Sequence, residues 1–248
     1  MLLKSNITNI RIHSDEWFQG RLGKFTSSNK HFLMGEKADT QGAISYIYRQ
    51  LGEELSGLPA RDEVDTKSTE HGKKYEEEGI KAFRKQVGYD DDKTQLVVTQ
   101  KLITIPDTRR GSTPDIIIPY SETNDGLGYN VYTGEVKCPP TYDHYLYLFK
   151  CNSPEDVLKR VPTAGKIYFW QVIDQMDVCG ALMGYLIIYH PFFKVGGLNI
   201  VEFRKKDLIS YFNLLHERNE WAENLFNELR DEVRTKKIIS HLRKPFSA

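Results

Sequence analysis

Two runs of strand-forming residues, DIIIPY at 115–120 and YNVYTGEVKC at 129–138, flank the turn-rich segment SETNDGLG. β-Branched and aromatic residues on both sides of Asn, Asp and Gly predict a β-hairpin, so the fold must contain a sheet. Into this apolar hairpin the chain inserts Asp115, Glu135 and Lys137. Side chains alternate along a strand, so Glu135 and Lys137 share one face while Val136 and Cys138 take the other. Asp115, just after Pro114, comes beside them if the hairpin pairs in register. Two converging carboxylates repel, and a hard divalent cation such as Mg²⁺ is the usual resolution. A lysine on the same face is placed to orient or deprotonate a water, or to neutralise charge on a phosphate under attack.

Around the hairpin the sequence predicts helices. Ser14 is an N-cap candidate ahead of DEWFQGRLG, and a second short helix is expected to start near Thr26–Ser28. Ile44, Ile47, Tyr48 and Leu51 recur at helical spacing in QGAISYIYRQLGEEL, which SGLP closes. In TEHGKKYEEEGIKAFRKQVG, a stripe of Gly72, Gly79, Ile80, Phe83 and Val87 has Glu76 in its middle, while Glu77 and Glu78 point elsewhere. A carboxylate on the inner face needs a cation, a metal or hydrogen-bond donors, so Glu76 is read either as a buried ion-pair partner or as a site residue.

The run QLVVTQKLITI reads as a strand preceding the hairpin, and Pro139–Gly165 as irregular apart from a short helix at SPEDVLKRV opened by Ser153 and Pro154. GKIYFWQVIDQMDVCGALMG is then a helix with Phe169, Val172, Met176, Cys179 and Met183 on one side. Gln171, Asp174 and Gln175 lie on the other, and they need partners if both faces are covered. GYLIIYH and LNIVEF follow as strands. Leu208, Tyr211, Phe212, Leu215, Trp221, Leu225 and Leu229 mark a long terminal helix, to pack on the core or on another subunit. This order of elements fits a mixed α/β fold with a central sheet flanked by helices.

At 248 residues and 40% hydrophobic, the chain can build one substantial core, and a single domain over 1–248 is expected. Its parts are a helical region to about residue 65, a core over about 66–203, and a helical region from about 204. Lys plus Arg and Asp plus Glu both number 34, so the whole chain carries no basic signature and any nucleic-acid partner must be met by a local patch. Arg109 and Arg110, Lys73 and Lys74, and Arg204 to Lys206 are read as solvated charge. Cys138, Cys151 and Cys179 form no CxxC pair and no disulfide framework. No apolar run long enough to span a bilayer and no signal peptide is visible, which predicts a soluble protein of the cell interior without a membrane partner.

Five blocks, WFQGRLGKFTSS, HGKKYEEE, GSTPD, GEVKCP and YFWQVIDQM, resemble in this order the blocks of the lambda-exonuclease or YqaJ-type viral recombinase family, and P-D with E-x-K matches the signature of the PD-(D/E)XK nucleases. The resemblance implies a restriction-endonuclease-like core and a Mg²⁺-dependent exonuclease, with Mn²⁺ able to substitute. Such an enzyme digests one strand from the ends of double-stranded DNA, typically 5′ to 3′, and leaves an overhang for a single-strand annealing protein. It also implies a possible homotrimer, in a host's cytoplasm or, for a eukaryotic virus, its nucleus.

Position by position, Asp115, Glu135 and the Val136 carbonyl resemble metal ligands, and Lys137 the residue that activates water. Glu76 falls on a glutamate that supports the metal site indirectly or at a second ion, and Gln171 on one that bridges water, Lys137 and phosphate. Arg21 matches a clamp for the terminal 5′-phosphate, Ser28 a phosphate-binding hydroxyl or simple N-cap, and Thr113 a hydroxyl where the family carries serine. Trp17 is read as a core anchor bracing Arg21. A structure-specific or nicking endonuclease on the same fold, and a non-catalytic DNA-binding module, are the competing readings.

Overall fold

The computed structural model describes residues 2–3, 7, 14–60, 67–88, 97–98, 101–122, 124–125 and 128–242. Its first half contains β1 (Leu2–Leu3), α1 (Asp15–Arg21), β2 (Phe25–Thr26), a 3-10 helix over Ser27–Phe32, α2 (Gln41–Ser56), α3 (Lys67–Val87), β3 (Val97–Val98), β4 (Ile103–Thr104) and β5 (Arg110–Ser112). There follow β6 (Ile116–Glu122), β7 (Gly128–Lys137), α4 (Tyr142–Phe149), α5 (Pro154–Arg160), α6 (Ala164–Cys179), β8 (Met183–Tyr189), β9 (Leu198–Arg204) and α7 (Ile209–Leu242).

The expected hairpin forms. β6 and β7 pair antiparallel with Ile116 opposite Gly134, and the register shifts between Pro119 and Ser121, where proline can donate no ladder bond. β7 pairs parallel with β8, and β8 antiparallel with β9, giving a mixed sheet in the order β3-β6-β7-β8-β9 with β1 also on β7. A parallel β7–β8 pair requires a long crossover, and α4, α5 and α6 supply it. A second sheet of β2, β5 and β4 stands apart from the first.

Both faces of the main sheet are covered. Leu186 and Ile188 join a core with Phe169, Val172 and Met176 of α6, while Tyr185 and Ile187 meet Ile80 and Phe83 of α3 on the opposite side. Two glycines allow these layers to close. A Cβ on Gly184 would lie 2.7 Å from the Met176 sulfur, and one on Gly79 would lie 3.0 Å from Val136 Cγ1. Gly79 thus seats α3 against β7, and Glu76 sits nearly one turn before that contact.

Helix starts follow their caps: the Ser14, Thr40 and Ser153 side chains accept from the amides of Trp17, Ala43 and Asp156, contacts that typically contribute about 1 kcal/mol each. α7 packs on the core through Phe212, Leu215, Ala222 and Phe226. The three cysteines are free, buried thiols. Among the described residues, no helix is long and apolar enough to cross a membrane.

Several local expectations fail. α2 turns Ala43, Tyr46, Ile47, Gln50 and Leu51 inward and leaves Tyr48 exposed, because Tyr46 packs near Phe25 and its hydroxyl accepts from the Thr26 amide. The run 95–105 is not one strand: Val97–Val98 joins the main sheet and Ile103–Thr104 the small one. Residues 95, 96, 99 and 100 of that run, residues 123, 126 and 127 of the hairpin loop, and the expected boundary near 65 lie outside the described residues. Tyr142–Phe149, expected to be irregular, is a helix, and Met183 belongs to β8 rather than to α6.

The largest departure is in the charges. Arg109 ion-pairs with Glu54 and Glu223 and stacks 3.8 Å over Phe226. Arg110 is buried and reaches Asp174 and Asp177, each at 2.8 Å. Asp174 also accepts the Ser27 hydroxyl at 2.7 Å and pairs with the fully buried Lys30 at 3.3 Å, while Lys30 donates to Asn219 at 2.7 Å. Asp174 therefore ties the Ser27–Phe32 helix, β5 and α6 together.

Removing the charge at Asp174 leaves the buried Lys30 without its counter-charge and Arg110 with Asp177 alone, so Asp174→Asn should destabilise the fold by about 3–5 kcal/mol in urea titrations. Burial, only partly offset by Asp174, pulls Lys30 from 10.5 down to about 8. The unfolded chain then binds more protons between those values, and the Lys30 contribution to stability grows as pH rises through that window. Between pH 7 and pH 10, wild type should gain roughly 2–3 kcal/mol over Lys30→Met in the same titration.

Candidate active site

The hairpin register carries Asp115 to the end of β6, one step beyond the Ile116–Gly134 pair and therefore across from Glu135. The Val136 amide donates to Asp115 Oδ2 at 2.7 Å, which pins the carboxylate against β7. Glu135 points to the α6 side of the sheet and Val136 to the α3 side, as strand alternation requires. Lys137, two residues on, turns back to Glu135 Oε1 at 2.5 Å.

Glu135 is only 4% exposed, and its carboxyl oxygens meet donors from α6. Gln171 Nε2 donates to Oε1 at 2.6 Å, and Gln175 Nε2 donates to Oε2 at 2.5 Å. The two glutamines are four residues apart and share one helical face. One oxygen thus takes a lysine and a glutamine, and the other a single glutamine, leaving Oε2 capacity for a further partner.

Glu76 approaches from α3. It lines, together with Lys73, Asp115, Glu135, Lys137 and Tyr168 among others, a cavity of about 310 Å³ at the end of the hairpin. Glu77 and Glu78 are exposed, so the helical phase picks out the one inward glutamate of the three. The Lys137 ammonium also lies 5.2 Å from the Tyr168 ring.

Burial, and then the negative charge of Glu135 and Glu76, pushes the Asp115 carboxyl well above the usual carboxylate range against the opposing pull of Lys137 and the Val136 amide. Burial works against the charge on Lys137, yet Glu135 and Asp115 beside it hold its pKa above that of an ordinary lysine. Three carboxyl groups, Asp115, Glu135 and Glu76, converge on this cavity with Lys137 and Lys73, and such a gathering of oxygen donors suits a hard divalent cation. Among the described residues no set of three His, Cys, Asp or Glu side chains could hold an ion by itself, so carbonyl and water oxygens would have to complete its shell.

The residues expected to bind phosphate lie elsewhere. Arg21, the last residue of α1, stacks 4.1 Å over the buried Trp17, as expected of a braced arginine. It lines a separate cavity of about 550 Å³ with Lys24, Thr26, Asn29 and Arg49. Ser28 is not an N-cap: it is the second residue of the 3-10 helix, its hydroxyl 3.4 Å from that of Thr26. Thr113 is half-buried in the link between β5 and β6, two residues before Asp115.

The sequence of the YqaJ-like viral recombinase domain matches this chain over residues 16–182. The chain belongs to the YqaJ-like viral recombinase domain family. That span takes in Arg21, Glu76, the hairpin and both glutamines of α6. No curated protein sequence matches the chain.

Among solved structures, this YqaJ-like chain is similar to an alkaline exonuclease, LHK-Exo, from Laribacter hongkongensis, with a TM-score of 0.64 and 18% identity over 90% of this chain and 99% of that one. The same enzyme in complex with dAMP superposes with a TM-score of 0.63 at 19% identity, again over 90% and 99%. A phage-related exonuclease from Haemophilus somnus 129PT gives 0.60 at 16% identity over 85% and 96%. At such identity the likeness is one of fold, and the fold is the expected restriction-endonuclease-like core with helices on both faces of a mixed sheet.

Sequence reasoning passed over Gln175 as a site residue, although its spacing from Gln171 was a signal. Gln175→Leu deprives a buried carboxylate of one donor and should destabilise the YqaJ-like fold by about 1–3 kcal/mol in urea unfolding. In a Glu135→Leu background that loss should largely vanish, since the acceptor is gone. Losses that simply add would show that Gln175 acts through some other contact.

Proposed function

We propose that this protein is a divalent-metal-dependent exonuclease that hydrolyses phosphodiesters from the ends of double-stranded DNA, 5′ to 3′, and leaves overhangs for a single-strand annealing partner. The observation that carries the reading is the meeting of Asp115, Glu135 and Lys137 with Glu76 in one cavity. Membership of a viral recombinase family and a fold shared with exonucleases support it.

Asp115, Glu135 and the Val136 carbonyl would hold Mg²⁺ or Mn²⁺, with Glu76 acting indirectly or at a second ion. Such an ion, when bound, supplies Lewis-acid polarisation of the phosphate and makes water acidic enough to attack near neutral pH. Lys137, held by Glu135 at 2.5 Å, presents a positive charge toward the space that the scissile phosphate would enter, where it offsets developing negative charge and orients the water. Gln171 and Gln175 fix the plane of the Glu135 carboxylate from behind.

Arg21 suits the terminal 5′-phosphate because a guanidinium can offer two parallel donors to it, and the Trp17 ring limits its motion. Ser28 and Thr113 add hydroxyl donors to phosphates of the same strand. A homotrimer would keep the enzyme on its track, and the chain works as one nuclease domain in this reading.

Lys137→Ala should lower cleavage of end-labelled linear duplex at least about 10³-fold while DNA affinity changes only a few-fold, a loss confined to the chemical step. Linear duplex bearing a 5′-phosphate should be digested faster than the 5′-hydroxyl form, and Arg21→Ala should remove the difference. Closed circles should persist. Rapid nicking of circles would instead identify an endonuclease, and failure of wild type to digest DNA with Mg²⁺ or Mn²⁺ would overturn catalysis altogether.

A further inference from the structure

Adjoining the segments that line the cavity is an aromatic cluster that the hydrolytic chemistry does not use. Pro139 and Pro140 line the cavity and lead into α4, whose first residue, Tyr142, is 61% exposed. Phe192, in the turn after β8, is 63% exposed. Rings from three segments join them: Tyr142 lies 5.3 Å from His190 and 5.7 Å from Phe193, and Phe192 lies 5.7 Å from His190. Phe192 also meets Tyr75 edge-on at 5.8 Å, and Tyr75 immediately precedes Glu76. His71, one turn earlier on α3, packs 4.7 Å from Tyr75 and 5.9 Å from His190.

This cluster is held from beneath. The fully buried Tyr145 donates its hydroxyl to the Gly196 carbonyl, and its ring lies 4.6 Å from Phe193 and 5.1 Å from His190. The outer rings therefore sit on a fixed base while presenting apolar faces to water. Large exposed rings beside a catalytic cavity mark a surface built to receive something.

Continuity with the cavity and the local charge define the occupant. Pro139 and Pro140 line the cavity just before Tyr142, and Glu76 lines it directly after Tyr75, so a strand whose phosphodiester lies among Asp115, Glu135 and Lys137 has its neighbouring bases next to the segments that carry the rings. Lys73 lines the cavity and the Lys74 ammonium lies 4.9 Å from the Tyr75 ring, giving cations for intervening phosphates. The carboxylates of Glu78 and Asp143, both on these helices and exposed, disfavour a backbone running directly over the rings. Neutral base faces suit the rings better, and paired duplex does not expose them.

Resting on the nuclease reading above, we propose that Tyr142 and Phe192 form a stacking platform for unpaired nucleobases of the strand that enters the cavity. The test is binding, by fluorescence anisotropy in EDTA, of two duplexes with a frayed 5′-phosphorylated end, one bearing normal bases in the unpaired segment and one abasic there. Wild type should prefer the base-bearing end by about tenfold or more, and a Tyr142→Ala, Phe192→Ala double variant should lose that factor on it while binding the abasic end as wild type does. Tyr142→Phe with Phe192→Tyr should retain the preference, and far-UV circular dichroism should match wild type for both variants.

Equal losses on the two ends, or none, would overturn the platform. So would a change in sedimenting mass with base preference intact, which would assign the rings to an interface between copies of this chain. Digestion of linear duplex by the same wild-type preparation in Mg²⁺ separates the two levels: digestion without base preference sinks only the platform, whereas neither digestion nor binding sinks the nuclease reading itself.

Discussion

An almost fully buried carboxylate, Glu135, organises this molecule. A charge so enclosed is tolerable only with donors in place, and Lys137, Gln171 and Gln175 provide them at 2.5–2.6 Å. Because two of the three come from α6, the helix cannot rotate or slide along the sheet without stranding the charge. The register of β7 and the rotation of α6 are therefore set by the same contacts that define the candidate site.

α6 carries a second constraint of the same kind. Asp174, between the two glutamines, is buried against Lys30 and Arg110, so the helix face that grips Glu135 also grips the Ser27–Phe32 helix and β5. Arg110 begins the strand that leads through Thr113 to Asp115, and Lys30 follows Ser28 by two residues. Segments far apart in sequence, proposed here to meet phosphate and metal, are thus fastened to one helix by charge pairs that water cannot reach. Replacing any of these charges costs more than the contact itself, because the partner stays buried.

Much of the site was legible because strand and helix periodicity leave few choices. Alternation along YNVYTGEVKC put Glu135 and Lys137 on one face, and the stripe around Glu76 separated it from Glu77 and Glu78. The rotation of α2 was not legible: Tyr48 and Tyr46 are both aromatic, and only packing near Phe25 chooses between them. Arg109 and Arg110 looked like solvated charge because nothing local reveals that Glu223, Asp174 and Asp177 will come to meet them. α4 was missed because Pro139, Pro140 and several tyrosines resemble a loop in one dimension.

By itself the sequence determined the hairpin, the caps at Ser14 and Ser153, the inward glutamate and the order of family blocks, all of which depend on spacing within one segment. Tertiary structure alone decided which long-range partners each charge found, that Gln175 would join Gln171 on Glu135, and that Tyr142, Phe192 and Tyr75 would gather beside the cavity. Those outcomes depend on how separate elements are brought together, and burial then makes each polar choice obligatory. Periodicity can say which way a side chain faces, but only the packed fold says what it faces.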